Sequence, residues 1–464
     1  MEKFHEKCGV FGVYGKDLDV ARLSFFALFA LQHRGQESSG IAVADGEGIQ
    51  WHKGDGLVAQ AYTEADIEKL KGHLAIGHNR YSTSGGTDHA HAQPVIARDG
   101  AIALAHNGNL PSTTTLKEFL NTKGIAINGS NDSELMAKAI GYFVEHGNSL
   151  GEAVAKAFPL FTGAFSLLVM TKDEVAAVRD SYGIRPLSMG SLDNEGVVFA
   201  SETCAFKTIG ATFAREVAPG ELVVVSARGI ETRQLAESTP KIDIFEFVYF
   251  ARPDSEIMGR SVYEVRKNCG KILAREKPLA ADIVVPVPET AVPVALGYSQ
   301  ATGIPLEMAL IKNRYIHRTF IRPNQSDREK DVQLKLNPIA HLLKGKSVAL
   351  VDDSIVRGTT SRKLVKTIFS HGAKEVHFLV SSPPVRYPDF YGIDTPKQEN
   401  LIAATKNVKE IEKFLGATSL HYLSLAGLVE ATGLPEENFC TSCFTGEYPI
   451  DLRERANEVR SIQT

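Results

Sequence analysis

The strongest chemical signal in the chain is one uninterrupted stretch, Val348-Ala349-Leu350-Val351-Asp352-Asp353-Ser354-Ile355-Val356-Arg357-Gly358-Thr359-Thr360. Its first four residues are apolar and read as a buried strand. Asp352 and Asp353 stand at the C-terminal edge of that strand, a hydroxyl- and glycine-bearing loop follows, and Ser361-Arg362-Lys363-Leu364 begins a helix. Backbone N–H groups and hydroxyls between Ser354 and Thr360 can wrap a phosphate against the helix N-terminus, where unpaired donors and the macrodipole favour an anion. The two carboxylates repel phosphate, so their natural partners are sugar hydroxyls and a divalent cation. An Asp pair that only caps a turn and a helix is the plain alternative. It accounts for neither the loop's length nor its hydroxyls, and loop and acids together describe a phosphorylated sugar.

Two other stretches could serve the same anionic ligand. Val285-Pro286-Val287-Pro288-Glu289-Thr290-Ala291 ends another apolar run in a stiff turn, and Lys312-Asn313-Arg314-Tyr315-Ile316-His317-Arg318-Thr319-Phe320 is basic without helical or strand periodicity. A mobile basic loop could close over such a ligand and neutralise its charge; a solvated charge run is the plain alternative.

A different chemistry is available at the other end of the chain. Cys8 opens the run Cys8-Gly9-Val10-Phe11-Gly12. If Met1 to Lys7 are removed, Cys8 gains an α-amine with a pKa of about 7.7 to 8.0, near the thiol's own value of about 8.5. That amine can serve as general base for its own side chain. While Lys7 remains attached the nitrogen is an amide without such basicity, so loss of the 1–7 leader is part of the expected mechanism. A lone cysteine here would more often be a small buried residue.

These groups must be positioned by two kinds of architecture. From Cys8 to about Glu231, short β-branched and aromatic runs with glycine punctuation (CGVFGVYG, HLAIGHNRY, AIALAHNGN, AFSLLVM, GVVFASE) are broken by helical patterns near Arg22–Gln32, Ser133–Glu145 and Ser149–Phe158. That pattern predicts antiparallel sheets with packed helices, an α+β unit. After about Asp254, apolar runs (ADIVVPV, SVALVDD, EVHFLVSS) alternate with helical segments (EVRKNCGKILAREK, SRKLVKTIFSHGA), the mark of βαβ units around a parallel sheet. The polar stretch Ala236–Asp243 is the expected joint. The expected divisions are a leader at 1–7, an α+β domain at 8–240, an α/β domain at 241–400 and a mostly helical appendage at 401–464.

The N-terminal motifs resemble the glutaminase domain of N-terminal-nucleophile (Ntn, class II) glutamine amidotransferases. They are Leu31-Gln32-His33-Arg34-Gly35-Gln36-Glu37, Gly77-His78-Asn79-Arg80-Tyr81-Ser82-Thr83, Ala105-His106-Asn107-Gly108-Asn109 and Ser130-Asn131-Asp132-Ser133-Glu134. The resemblance implies an αββα sandwich with Cys8 as nucleophile, and with the Asn107 side chain and Gly108 N–H as the oxyanion hole. It implies Arg80 and Asp132 as clamps on glutamine's α-carboxylate and α-amine, with Arg34 and Thr83 as further glutamine contacts. Arginine offers a bidentate fork to a carboxylate, and aspartate complements an ammonium.

The Val348–Thr360 stretch resembles, at every position, the 5-phosphoribosyl-1-pyrophosphate (PRPP) motif of type I phosphoribosyltransferases. Asp352, Asp353, Ser354, Arg357, Gly358, Thr359 and Thr360, with Lys312 and Arg318, are the implied PRPP contacts, and Thr290, Asp352 and Asp353 the implied Mg²⁺ assembly. Glutaminase followed by phosphoribosyltransferase resembles the glutamine PRPP amidotransferase family. That family moves ammonia from glutamine through an internal channel to displace pyrophosphate from PRPP, giving phosphoribosylamine for purine synthesis. The resemblance implies a homo-oligomer (dimer or tetramer) inhibited by purine nucleotides. A subgroup with an FTGEYP-type ending holds a [4Fe-4S] cluster on four cysteines. Cys440 and Cys443 match two of them, but the other positions read Asp243 and Asp389, and carboxylates replace thiolates poorly, so no iron–sulfur cluster is expected.

Composition excludes other classes. The chain has 464 residues, 43% hydrophobic and 23% charged, with 51 Lys+Arg against 55 Asp+Glu, so it has ample core and no basic field for nucleic acid. Five scattered cysteines make no disulfide framework, and the start lacks a secretory or membrane-spanning segment; a cytoplasmic protein without membrane or nucleic-acid partners is expected. Gly345-Lys346-Ser347 runs into a strand and is rejected as a Walker A tail. Gly54-Asp55-Gly56-Leu57-Val58-Ala59 reads as a turn in a hairpin rather than a dinucleotide loop, and His89-Ala90-His91 as a solvated loop. Two competing readings remain: another Ntn-type amidotransferase, which would lack the PRPP motif, and a PRPP-binding regulator of transcription, which would need a DNA-reading surface.

Overall fold

The computed structural model describes residues 8–80, 92–127, 129–193, 196–313, 336–392, 395, 397–460 and 462. Among the described residues the first half contains thirteen strands: β1 (Gly9–Tyr14), β2 (Ser38–Ala44), β3 (Ile49–Asp55), β4 (Leu74–Arg80), β5 (Val95–Ala97), β6 (Ile102–Ser112) and β7 (Thr162–Met170), then β8 (Val175–Arg179), β9 (Ser188–Leu192), β10 (Gly196–Ala200), β11 (Thr212–Glu216), β12 (Glu221–Ser226) and β13 (Gly229–Gln234). They form a seven-stranded sheet ordered β11-β9-β10-β1-β4-β2-β3 and a six-stranded sheet ordered β13-β12-β8-β7-β6-β5. The pairings within both sheets are antiparallel.

Alternation of side chains explains the layering, because each strand sends successive residues to opposite faces. From β1, Val10 joins the core between the two sheets, whereas Phe11 and Val13 face helix α1 (Val20–Ala30) on the outside. The six-stranded sheet is covered by α2 (Asp132–Glu145) and α3 (Leu150–Ala157). Asn131 starts α2 with a capping box, accepting from Glu134 N while the Glu134 side chain returns to the Asn131 N–H. The order helix, sheet, sheet, helix is the αββα sandwich.

The second half is a parallel sheet ordered β14 (Ile283–Pro286), β15 (Ser347–Asp352), β16 (Glu375–Val380), β17 (Ser419–Tyr422). Strands β14 and β15 are covered on both faces by separate apolar clusters, so they read as continuous apolar runs. One face carries α4 (Val262–Glu276) and α5 (Val292–Thr302). These two approach so closely that a Cβ on Gly270 would collide with the Val294 carbonyl, and one on Gly297 with the Lys267 carbonyl. The other face carries α6 (Thr359–Ser370) and α7 (Val408–Leu415).

The segment 401–464 is helical for the most part but is not a separate appendage. Its strand β17 completes the parallel sheet, and α8 (Leu425–Thr432) packs into the same core as α4. Its Phe439–Cys440 also pairs with Ile242–Asp243 at the joint between the halves. At Gly54–Ala59 the hairpin β2–β3 is present, but a one-turn helix, Val58–Ala61, follows it where only a turn is expected from the sequence. Ser347 opens a strand, in line with rejecting a Walker A loop there.

Candidate active site

At the N-terminal site, β1 follows Cys8 directly and pairs with β4 so that Gly9 lies opposite Asn79. One residue further along that register sets Cys8 beside Arg80, the last residue of β4. His78 in β4 reaches across to the six-stranded sheet, its Nε2 3.1 Å from the carbonyl of His106, which immediately precedes Asn107. That contact fixes the sheet that follows Cys8 against the strand carrying Asn107 and Gly108. Full burial pulls the His78 imidazole down to about 3, so it is neutral and bridges without adding charge.

The Asn107 side chain is the most telling group in this site. It is 1% exposed, and neither its Oδ1 nor its Nδ2 has a hydrogen-bond partner among the described residues. Burying a carboxamide without partners is costly unless a ligand supplies them. Gly108 follows with φ +151°, and a Cβ there would collide with the Ala164 carbonyl, so glycine is required for the strand to turn its N–H at this point.

Asp132 stands at the first turn of α2. Its Oδ1 accepts from Ser133 N at 2.8 Å and its Oδ2 from Leu110 N at 3.2 Å, 3.8 Å from His106 Nδ1. The bonds tie the carboxylate to the strand carrying Asn107. Gln93 completes the support, its Oε1 taking the His106 N–H at 2.7 Å and its Nε2 lying 3.1 Å from Ser133 Oγ. The register thus sets Arg80 beside Cys8, while Asn107, Gly108 and Asp132 lie together on and beside β6, which His78 of β4 ties to the sheet that follows Cys8. Thr83, the leader 1–7 and His89-Ala90-His91 lie outside the described residues.

Arg34 occupies a different position from a simple substrate clamp. Its guanidinium is fully buried and bound by Glu202 and by Glu246, the latter at 3.0 Å, while its Nε reaches the Cys8 carbonyl at 3.3 Å. Burial opposes ionisation of Glu202, yet His33 and Arg34 together hold its carboxyl well below the usual range. Arg185 adds a second cation, 2.9 Å from Asp243 and 3.7 Å from Glu246. Glu202, Glu246 and Arg185 carry no motif in the sequence; their partners lie far along the chain, and no periodicity links them.

At the second site, β15 ends in Asp352 and α6 starts at Thr359, with Gly358 between them at φ +75°. Both acids are buried. Asp353 N donates to Asp352 Oδ1 at 2.9 Å, Ser354 Oγ donates to Asp353 Oδ1 at 2.7 Å, and Thr290 Oγ1 donates to Asp353 Oδ2. Thr290 belongs to the loop after β14, so the loops after two adjacent parallel strands meet at the carboxyl edge of the sheet, where open α/β sheets bind ligands. Arg357 and Thr359 are exposed around this edge and Thr360 is half-buried. Lys312, exposed and 3.7 Å from Glu289, ends the strand Leu310–Lys312, which pairs with Leu336–Pro338. Arg318 lies outside the described residues.

The four positions compared with the cluster-bearing subgroup do converge at the joint. Burial, with Asp243 next, pushes the Cys440 thiol up to about 12, and burial with the Asp243, Cys440 and Asp389 charges raises Cys443 well above its ordinary value. Asp243 is engaged by Arg185 and by the Phe245 N–H, and Asp389 by the Tyr391 N–H. Two hydrogen-bonded carboxylates in the place of two thiolates do not fit a cluster that demands four thiolates.

Both halves of the chain match known proteins. The glutamine amidotransferase domain family matches residues 78–208 and the phosphoribosyl transferase domain family matches residues 258–395. The amidophosphoribosyltransferase of Synechococcus elongatus is 49% identical over 97% of this chain and 92% of its own length. That of Bacillus subtilis is 43% identical over 97% and 95%. A solved structure described as the allosteric regulatory enzyme of purine biosynthesis superposes with a TM-score of 0.91 at 43% identity, covering 96% of this chain and 97% of that one. A glutamine PRPP amidotransferase from B. subtilis complexed with ADP and GMP superposes with a TM-score of 0.89 at 42% identity, covering 96% and 98%.

Proposed function

The chain belongs to the amidophosphoribosyltransferase family, and from that premise we propose how its own residues perform the glutamine-dependent amination of PRPP. The single observation that carries the first half of the reaction is the buried, unpartnered Asn107 carboxamide, on the strand that His78 ties to the sheet following Cys8. With the leader 1–7 removed, the freed α-amine takes the Cys8 thiol proton. The sulfur adds to glutamine's side-chain carbonyl, and Asn107 Nδ2 with the Gly108 N–H receives the oxyanion. Collapse releases ammonia and leaves a thioester, which water cleaves to glutamate. Arg80 and Asp132 hold the α-carboxylate and α-amine, with Thr83 as a further contact. Arg34 orients Cys8 through its carbonyl rather than binding substrate with a guanidinium already held by two glutamates.

Ammonia then passes internally to the second site and attacks C1 of PRPP, and the C1–O bond to pyrophosphate breaks. Ser354, Arg357, Gly358, Thr359 and Thr360 cradle the 5-phosphate at the N-terminus of α6, while Asp352 and Asp353 take the ribose hydroxyls. Thr290, Asp352 and Asp353 would hold Mg²⁺, which when bound neutralises diphosphate charge; Lys312 and Arg318 serve the same end of the ligand. The Asp243/Asp389/Cys440/Cys443 group holds no cluster in this reading.

The proposal extends to working units at 8–240 and 241–400 with 401–464 completing the second, to a cytoplasmic homo-oligomer (dimer or tetramer), and to inhibition by purine nucleotides. The ADP and GMP of the B. subtilis structure support the last. Among the described residues no helix is long and apolar enough to cross a membrane. The test is Cys8→Ser, assayed for pyrophosphate release with glutamine or ammonium as donor. Glutamine use should vanish while ammonia use persists; retained glutamine use would refute the nucleophile assignment.

A further inference from the structure

The strand carrying the oxyanion-hole residues is contacted by the other half of the molecule. Gly392, at φ +114°, lies so close to Gly108 that a Cβ added to it would stand 3.0 Å from Gly108 Cα and 3.1 Å from its carbonyl carbon. Two residues earlier, the Phe390 carbonyl accepts from Asn109 Nδ2 at 2.8 Å. Between them Tyr391 is fully buried, its hydroxyl donating to the Ile450 carbonyl at 2.7 Å, with Ile450 N 3.1 Å from the same oxygen. The segment is anchored behind by Asp389, whose Oδ1 accepts from Tyr391 N at 2.8 Å. Phe390 and Tyr391 pack with Ala164, the residue whose carbonyl forces glycine at 108, in a small apolar cluster spanning both halves.

We propose that Phe390–Gly392 is a strap by which the phosphoribosyltransferase half positions the oxyanion hole of the glutaminase half, with Gly392 and Asn109 as its positioning residues. The inference rests on the assignment of Asn107 and Gly108 as oxyanion donors. An oxyanion hole works only when its donors are fixed before charge develops. Backbone at Gly108 cannot be fixed by its own side chain, since it has none, and a glycine is the most permissive point in a strand. Contact of Gly392 with Gly108 removes that freedom from one side while Ala164 limits it from the other. The Asn109–Phe390 bond sets the register of the contact. None of these groups touches substrate; their effect is on where the Gly108 N–H and the adjoining Asn107 carboxamide stand.

The experiment uses the full-length mature protein bearing Gly392→Ala. The methyl group needs a few tenths of an ångström of displacement at Gly108. Expected is a fall of tenfold or more in kcat for glutamine hydrolysis, with the glutamine KM and the ammonia-dependent reaction each within twofold of the parent. The direct readout is affinity for the aldehyde analogue of glutamine. The cysteine sulfur adds to its carbonyl, the C–O π pair becomes an alkoxide in the hole, and binding therefore reports on the hole itself. Affinity should weaken by the same factor as kcat. Unchanged glutaminase activity, or a parallel loss of both reactions with aldehyde affinity intact, overturns the strap.

If Gly392→Ala does not fold, Asn109→Ala and Tyr391→Phe replace it. Each should lower kcat several-fold with the same split, and no change in either overturns the proposal. Asn107→Ala is the control for the underlying reading. If that variant hydrolyses glutamine normally, the oxyanion assignment fails, and the strap falls with it for a reason distinct from any strap variant's result.

Discussion

Truncating Asn107 to alanine separates a catalytic role from a structural one, because the two predict opposite stability outcomes. In the folded protein the carboxamide is 1% exposed and makes no hydrogen bond to any described residue. A buried polar group left unpaired costs about 1–3 kcal/mol. Its removal returns that sum, and the lost packing of a short side chain takes back a similar amount. Net stability should therefore change by no more than about 1 kcal/mol in either direction. Catalysis has no such compensation. Loss of one oxyanion donor costs about 2.7–4 kcal/mol, a fall of about 10²–10³ in kcat. The assay pairs glutaminase kinetics with thermal unfolding of the same preparation: kcat should drop by that factor while the unfolding midpoint stays near the parent's. A large drop in midpoint, with glutamine and ammonia reactions declining together, would show that Asn107 holds the fold together and would refute the argument.

Two further outcomes follow from the other site and from the joint. Asp353→Ala removes the acceptor of both Thr290 and Ser354, so kcat/KM for PRPP should fall at least about tenfold, equivalent to about 1.4 kcal/mol, whether glutamine or ammonium is the donor; steady-state pyrophosphate release with each donor checks it. Glu202, whose carboxyl is held below its ordinary range by His33 and Arg34 despite burial, binds a proton more readily unfolded than folded. Its contribution is therefore fully present above the unfolded carboxylate value of about 4.3 and is lost as pH falls through the lower folded value. Thermal midpoints measured from pH 7 downward should decline below about pH 4.3 in the parent. Glu202→Gln should start about 3–5 kcal/mol less stable at pH 7, as expected when one partner of a buried pair is removed, and should show a shallower acid slope.

The phosphate site is legible in the sequence because its parts are contiguous: one strand, two acids, a loop and a helix start lie within Val348–Lys363, and the sheet edge that presents them follows from the strand's apolar run. The candidate glutaminase residues stand out for a related reason. Arg80, Asn107 and Asp132 each sit in a short local motif at the end or middle of a strand or the start of a helix. Strand β17 is hard to see because Ser419–Tyr422 is four residues long and only Leu420 and Tyr422 are buried. That is too short for a period of two to stand out among helices. The Arg34–Glu202–Glu246 assembly is not legible at all. Its members are joined across the fold by charge and burial, which leave no spacing in the chain, and the pairing of Gly392 with Gly108 is equally silent, since a glycine records where a backbone passes but not which backbone it passes.

What escapes the sequence is concentrated at the joint, and a physical reason connects those residues. A glutaminase that released ammonia without an acceptor would waste its substrate, so the two halves need mechanical contact at the reacting groups. Apolar packing alone supplies adhesion but little register, whereas a buried ion pair is costly unless every partner is in place. Arg34 meets that demand by binding the Cys8 carbonyl on one side and Glu246, from the start of the second half, on the other. Arg266 extends the same logic: burial pulls it down to about 10, Asp353 being the largest opposing charge, and its Nε and Nη2 donate to the Phe247 and Ala251 carbonyls at 2.7 and 2.8 Å. The segment carrying Glu246 is thus held between Arg34, which reaches the Cys8 carbonyl, and α4, whose Arg266 lies within electrostatic reach of Asp353. Displacing this short segment would break buried ion pairs and hydrogen bonds at both of its ends at once, which is a stronger constraint on how the halves sit than apolar packing supplies.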